Sequence, residues 1–179
     1  MSNIFKAINN NDIEKICEIL KNNPEAAVKK DRYGKLPLYY MIKYDFTILV
    51  INLIIDTYPE ITAKKNRNGV FYLHYASQYS SNVKVVKLIL DAYPEAIAKK
   101  DNNGEYPLHY ATRNSNLDIL KLILEAYPEA TYTRDTLYGE YSLHMVAKYC
   151  SNTEAVKLIL DAYPEAAAGK DNGGRTPLK

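Results

Sequence analysis

Apolar and polar positions alternate along this chain on a helical period, and the alternation keeps returning. Residues 83–91 read VKVVKLILD, where Lys84, Lys87 and Asp91 form one polar stripe and Val, Leu and Ile fill the other faces. Asp118, Lys121 and Glu125 repeat the stripe, as do Glu154, Lys157 and Asp161. A residue suited to capping precedes each such helix: Asp12, Thr47, Asn82, Asn116 and Asn152. Each helix is predicted to stop at a proline (Pro24, Pro59, Pro94, Pro128 or Pro164), which cannot continue the ladder and restricts the residue before it. The apolar faces must pack against the helices before and after.

Between these helices lies a second repeated segment. Gly34, Gly69, Gly104, Gly139 and Gly174 stand 35 residues apart, while the prolines are spaced by 35, 35, 34 and 36. Asp101-Asn-Asn-Gly104 places Asp first and Gly fourth, as a tight turn requires, and Asp31 and Asp171 repeat it with Asn66 as a substitute. Pro107 suits a first helical position, and a short helix is predicted from there to about residue 114. Self-similarity at such a period signals a solenoid, in which each unit buries its apolar face only against its neighbours.

The wording after the glycines is LPLYY (36–40), FYLHY (71–75), YPLHY (106–110), YSLHM (141–145) and TPLK (176–179). In-register TPLH-like copies, joined to the second-helix pattern, resemble the ankyrin repeat family over the whole chain. The resemblance implies an all-α ankyrin-repeat α-solenoid of stacked helix-turn-helix units with short hairpin-like turns. It divides a single domain, 1–179, into an N-terminal capping repeat (1–30), full repeats (31–65, 66–100, 101–134, 135–170) and the start of a further repeat (171–179). The period near 35 exceeds the family's usual value of about 33. Leu36, Phe71, Tyr106 and Tyr141 stand in the Thr slot, so bulky groups must fill the gap between repeats where a side-chain cap is lost.

Composition changes this picture little. At 47% hydrophobic, 25% charged and net charge +2, the chain fits an ordinary soluble domain and makes no argument for nucleic acid by itself. No apolar run approaches the roughly 18 residues that span a bilayer, and MSNIFKAINNND lacks the regions of a secretory signal. Cys17 and Cys150 suggest neither a disulfide framework nor a metal pair. An intracellular, cytoplasmic location without membrane contact is the expectation.

The chemistry-bearing residues fall into the repeat. His74, His109 and His144 share one slot, with Tyr39 and Lys179 at the equivalent places, and the resemblance assigns them hydrogen bonds that tie turn to helix. One repeat width apart, they do not converge on an ion or a substrate. No catalytic activity, cofactor, metal or small-molecule substrate is expected. Glu25, Glu60, Glu95, Glu129 and Glu165 form one ladder, and Lys29-Lys30, Lys64-Lys65, Lys99-Lys100, Arg134 and Lys170 form another. Within a Debye length of about 8–10 Å they should pair across units, which argues against nucleic acid.

The resemblance places the variable surface at the turn tips and first-helix ends, which line a concave groove. The candidate partner-binding residues are Tyr33, Lys43, Tyr44, Arg67, Gln78, Tyr79, Asn102, Arg113, Asn114, Tyr138, Lys148 and Tyr149. Tyrosine and arginine suit such a face because they bury large area and keep a polar handle. The expected function is non-enzymatic binding of a partner protein. The alternatives are an anionic surface or nucleic acid on the lysine ladder, or a recruiting arm of a larger multidomain enzyme. Lys15 and Glu18 replace the Val85 and Leu88 of a later unit, as in a cap. Val156, Ile159 and Leu160 keep the interior pattern, so a dimer or a longer array through an uncapped last repeat is expected.

Overall fold

A computed structural model describes residues 4–178, and among them the helix pair occurs five times. The pairs are α1 (Ile4–Asn9) with α2 (Ile13–Asn22), α3 (Pro37–Lys43) with α4 (Ile48–Thr57), and α5 (Tyr72–Tyr79) with α6 (Val83–Ala92). Then come α7 (Pro107–Ala111) with α8 (Leu117–Ala126) and α9 (Ser142–Tyr149) with α10 (Thr153–Ala162). First helices stack on first helices and second on second, giving two parallel layers. Leu38, Leu73, Leu108 and Leu143 recur in the first layer, and Ile19, Ile54, Ile89, Ile123 and Ile159 hold one position of the second, all buried. Lys84, Lys87 and Asp91 face solvent as their stripe predicts.

Asn82, Asn116 and Asn152 accept backbone bonds from Lys84, Asp118 and Glu154 at 2.9–3.0 Å, and Asp12 does the same for Lys15. Thr47 sits at the matching place without a side-chain capping bond. Each proline then begins a short 3₁₀ turn: Pro24–Val28, Pro59–Ile61, Pro94–Ala98, Pro128–Tyr132 and Pro164–Ala168. Its fixed φ and missing N–H suit that first position. The third residue of the turn (Ala26, Ile61, Ala96, Ala130 or Ala166) is buried, which accounts for the recurring Pro-Glu-Ala. Three of the bulky Thr-slot residues pack on the tyrosine that ends the second helix of their own unit. Phe71 packs on Tyr93, Tyr106 on Tyr127 and Tyr141 on Tyr163, with ring centroids 5.3–6.0 Å apart.

α7 is shorter than the sequence predicts, ending at Ala111 rather than near residue 114. The Thr112 hydroxyl donates back to the His109 carbonyl at 2.7 Å, and Asn114 donates to Ser77 and Ser80 carbonyls of the previous unit. Side chains of this type compete with the helical ladder for backbone partners. At the far end, Ile159 is buried, while Val156 and Leu160 are half-buried. Ile159 is therefore part of the core rather than of an open apolar face.

The turn tips are built by one carboxylate or amide oxygen. Asp31 Oδ1 accepts from Tyr33 and Lys35 N–H, Asn66 Oδ1 from Asn68 and Val70, and Asp101 Oδ1 from Asn103 and Glu105, all at 2.8–3.0 Å. Successive tips are joined by single backbone bonds: Asn102 N–H to Asn68 O, Thr136 N–H to Asn103 O and Asn172 N–H to Tyr138 O. Gly34 and Gly69 both sit at positive φ, +73° and +76°, but their surroundings differ. A Cβ on Gly34 meets nothing within 4 Å, whereas one on Gly69 lies 3.0 Å from the Asn102 backbone nitrogen. Gly34→Ala should cost about 1 kcal/mol from the left-handed backbone alone. Gly69→Ala should cost roughly 2–4 kcal/mol because it also pushes the tips apart. Urea denaturation of both variants measures the difference, and equal losses would contradict the stacking role.

Two of the three histidines fasten one unit to the next. The N–H groups of Phe71, Tyr106 and Tyr141 donate to Nδ1 of His74, His109 and His144 at 3.0–3.3 Å. Nε2 of His74 and His144 faces the carbonyl of Glu105 or Arg175 in the following unit, and Nε2 of His109 faces the Thr133 carbonyl at the end of its own unit, all at 3.1–3.3 Å. A carbonyl only accepts, so Nε2 carries the proton and the rings are neutral. Burial accordingly pushes the pKa of His74 and His109 from 6.5 down to about 4. The unfolded chain binds these protons first, so their contribution is complete above pH 6.5 and is lost as pH falls toward 4. The loss should be on the order of 3 kcal/mol per histidine. His109→Ala should lower stability by roughly 1–3 kcal/mol at neutral pH and flatten that acid limb. Chemical denaturation between pH 4 and 8 tests both, and an unchanged acid limb in the variant would refute the assignment.

Candidate functional site

The turn tips and the C-terminal ends of the first helices form one continuous face, because successive units stack in register. Five of its tyrosines, Tyr33, Tyr44, Tyr79, Tyr138 and Tyr149, are 39% to 67% exposed. Two of them stand on partly buried rings. Tyr44 lies 5.9 Å from Tyr40 and Tyr79 stacks 6.4 Å from Tyr75, while Tyr39 and Tyr75 meet edge to face at 4.7 Å across the unit boundary. Lys43 lies over Tyr39, and Lys148 lies over both Tyr138 and Tyr149. Gln78 is half-buried beside Tyr79 on α5.

Arg113 is held more tightly than a free anchor. Its guanidinium pairs with Glu105, with Nη1 3.3 Å from Oε2, and lies 5.4 and 5.5 Å from the ring centroids of Tyr110 and Tyr149. Burial works against that charge, but the Glu105 hydrogen bond and charge outweigh it and hold the guanidinium above its ordinary range. Burial also pushes the Glu105 carboxyl up, against the pull of Arg113. One unit later, Lys148 Nζ stands 3.6 Å from the buried Glu140 carboxylate. Lys35 and Lys43 occupy the same two places in the first full unit, and neither forms an ion pair among the described residues.

Three other expected site residues act mainly within the fold. Asn102 donates its amide to the Arg67 carbonyl at 3.1 Å, joining two tips through both residues. The Asn114 amide donates to Ser77 O and Ser80 O, and its carbonyl accepts from the Asn116 N–H. The Arg67 side chain is exposed on its tip. Sequence reading passed over Leu137, 55% exposed at the tip of the fourth full unit. Its signal was the Asp135–Gly139 spacing, one residue longer than Asp101–Gly104.

The expected pairing between the lysine and glutamate ladders is absent among the described residues: no ion pair joins Lys29, Lys30, Lys64, Lys65, Lys99, Lys100 or Lys170 to Glu25, Glu60, Glu95, Glu129 or Glu165. The glutamate is the second residue of each 3₁₀ turn and the lysines follow its end, so the rise of about 2 Å per residue separates them by roughly 8 Å within a unit. Arg134 leaves the ladder altogether, donating to the carbonyls of Gly139 and Lys170.

Among the described residues no group of His, Cys, Asp and Glu could hold a metal ion, and no helix is long and apolar enough to cross a membrane. No curated protein compared with the chain matches it. A family model described as ankyrin repeats matches residues 50–136 in three copies. Repeats of this family are generally protein–protein interaction modules and typically lack enzymatic activity. Residues 50–136 are thus similar to ankyrin repeats, and with matching turn bonds at Asp31 and Asp171 on either side of that segment the described residues form an all-helical solenoid of repeated helix pairs.

Proposed function

We propose that this chain is a non-enzymatic module that holds a partner protein against the turn tips and first-helix ends. The observation that carries the reading is the set of exposed tyrosines, Tyr33, Tyr44, Tyr79, Tyr138 and Tyr149, on the first, second and fourth full units, of which Tyr44 and Tyr79 are seated on partly buried rings. A ring whose rotamer is already restrained loses little entropy on binding and offers both area and a hydroxyl. The neutral, doubly bonded histidines have no free nitrogen for acid–base work, which supports a binding role over a catalytic one. Cys17 and Cys150 remain free thiols, which fits a reducing, intracellular setting.

A second reading has its own support. The lysines at 29, 30, 64, 65 and 99 are exposed and without ion pairs among the described residues, so an anionic surface or nucleic acid could be held there. The two readings separate cleanly by mutation. Tyr79→Ala and Tyr149→Ala should each weaken capture of a cross-linked partner by about 2 kcal/mol or more. Lys99→Ala/Lys170→Ala should leave it within a few tenths of a kcal/mol, as for rim charges on a face the partner does not cover. Loss confined to the lysine variant, together with a steep salt slope on a DNA or RNA titration, would transfer the function to the ladder.

A further inference from the structure

The tips of the first two full units are not alike. In the first unit the Tyr40 hydroxyl donates to Asp31 Oδ2 at 2.5 Å, and in the third the Tyr110 hydroxyl donates to Asp101 Oδ2 at 2.9 Å. In the second unit Asn66 stands where those units have aspartate, opposite Tyr75. Asn66 Oδ1 is committed to the N–H groups of Asn68 and Val70, so its Nδ2 must be the atom that faces Tyr75. Nδ2 donates to the Tyr75 oxygen at 2.6 Å, and Lys35 Nζ donates to the same oxygen at 3.0 Å. A phenol oxygen with both lone pairs engaged has only its proton left to use. That proton has no acceptor among the described residues.

Tyr75 lies in a cleft of about 380 Å³ between these two units. Lys30, Lys35, Lys64, Lys65 and Arg67 line it, and no Asp or Glu does. The first and second tips beside it, unlike the later ones, are not joined by a backbone bond among the described residues. The Tyr39 and Tyr75 rings offer little open face, since Tyr39 meets Tyr75 edge to face and Lys35 Nζ lies 4.4 Å from the Tyr39 centroid, while Tyr33 stays exposed at the rim. Bases that bind by stacking need open ring faces. What the cleft does offer is donors and positive charge.

Taking the groove as the binding face, we propose that this cleft accepts a carboxylate side chain from an acidic segment of the partner protein. Tyr75 Oη and Lys35 Nζ are the donors. The carboxylate takes the proton-accepting role that Asp31 and Asp101 play toward Tyr40 and Tyr110. The surrounding cations attract an acidic segment and orient it with its charged part toward this end of the face. The later units offer no equivalent, since Glu105 and Glu140 already engage Arg113 and Lys148.

The test uses the whole chain and a fluorescein-labelled peptide of alternating glutamate and alanine, with its glutamine analogue and single-stranded oligothymidylate as comparison probes. The glutamate peptide should bind in low salt, weaken as salt is added, and exceed both other probes in affinity. Tyr75→Phe removes only the hydroxyl and should weaken it by about tenfold, the loss expected for one charge-assisted bond. Asn66→Asp supplies the internal carboxylate and should weaken it at least as much, about tenfold, while keeping or raising the melting temperature. Lys157→Gln, on the solvent stripe of the second-helix layer, should leave affinity unchanged. Unchanged binding in Asn66→Asp, equal binding of the glutamine peptide, or no binding of the glutamate peptide would overturn the proposal. Tighter binding of oligothymidylate would overturn it in favour of nucleic acid. NMR shift mapping separates the two levels of failure. Peptide on the groove but outside the cleft sinks only the carboxylate site, and peptide on the second-helix layer sinks the groove reading with it.

Discussion

One polar side chain at the start of each turn governs this structure. The oxygen of Asp31, Asn66, Asp101, Asp135 or Asp171 gathers two or more N–H groups that would otherwise point into an unpaired loop. Backbone donors in a tight turn have few other partners, and leaving them unmade costs more than the bond itself returns. With the turn closed, the next residues extend, the proline or its equivalent starts the first helix, and the backbone of the tip is free to bond the next tip. The second atom of the same side chain then reaches a first-helix group: Tyr40 for Asp31, Tyr110 for Asp101, Tyr75 for Asn66. The turn and the binding face are thus set by opposite ends of one functional group.

The histidines extend the same logic along the solenoid. His74 and His144 each use one nitrogen inside their unit and the other across the boundary, so folding of one unit depends on order in the next, while His109 ties its first helix to the end of its own unit. Such a ring has little to give to chemistry, because protonating Nδ1 breaks the internal bond at the moment a charge appears in a buried place. The first full unit carries Tyr39 in this slot and forgoes the link, trading it for ring contacts with Tyr40 and Tyr75. The loosest junction between tips therefore falls at the boundary that holds the cleft.

The repeats, helix caps, polar stripes and histidine roles were legible in the sequence because periodic packing writes them at fixed intervals. Asn116 could be read as a cap from its place before an apolar run, since that role depends only on local backbone geometry. The site was less legible for the opposite reason. Glu105 and Arg113 belong to one unit and lie eight residues apart, a pairing that arises only when tip and helix end fold toward each other. The expected lysine–glutamate pairing failed because closeness in sequence was taken for closeness in space across a 3₁₀ turn. Asn66 appeared in the sequence as a tolerated substitute for aspartate. Its consequence depends on which amide atom the backbone claims, which only the folded turn reveals.

Near-identical units can still make a face with a direction. In the first full unit Lys35 and Lys43 stand where the third and fourth units place Glu105 with Arg113 and Glu140 with Lys148. These substitutions leave the buried Leu and Ile positions untouched, so they alter the surface without loosening the stack. The face accordingly passes from unpaired cations near Lys35 to internally neutralised pairs near Lys148, with two exposed tyrosines on both the first and the fourth full unit. Rings alike at both ends supply affinity but cannot tell one end of a bound segment from the other. A gradient of charge can, because reversing the segment would set its carboxylates beside Glu105 and Glu140 rather than beside Lys35. Specificity of orientation in this solenoid thus rests on a few side chains that the packing of the repeats leaves free to vary.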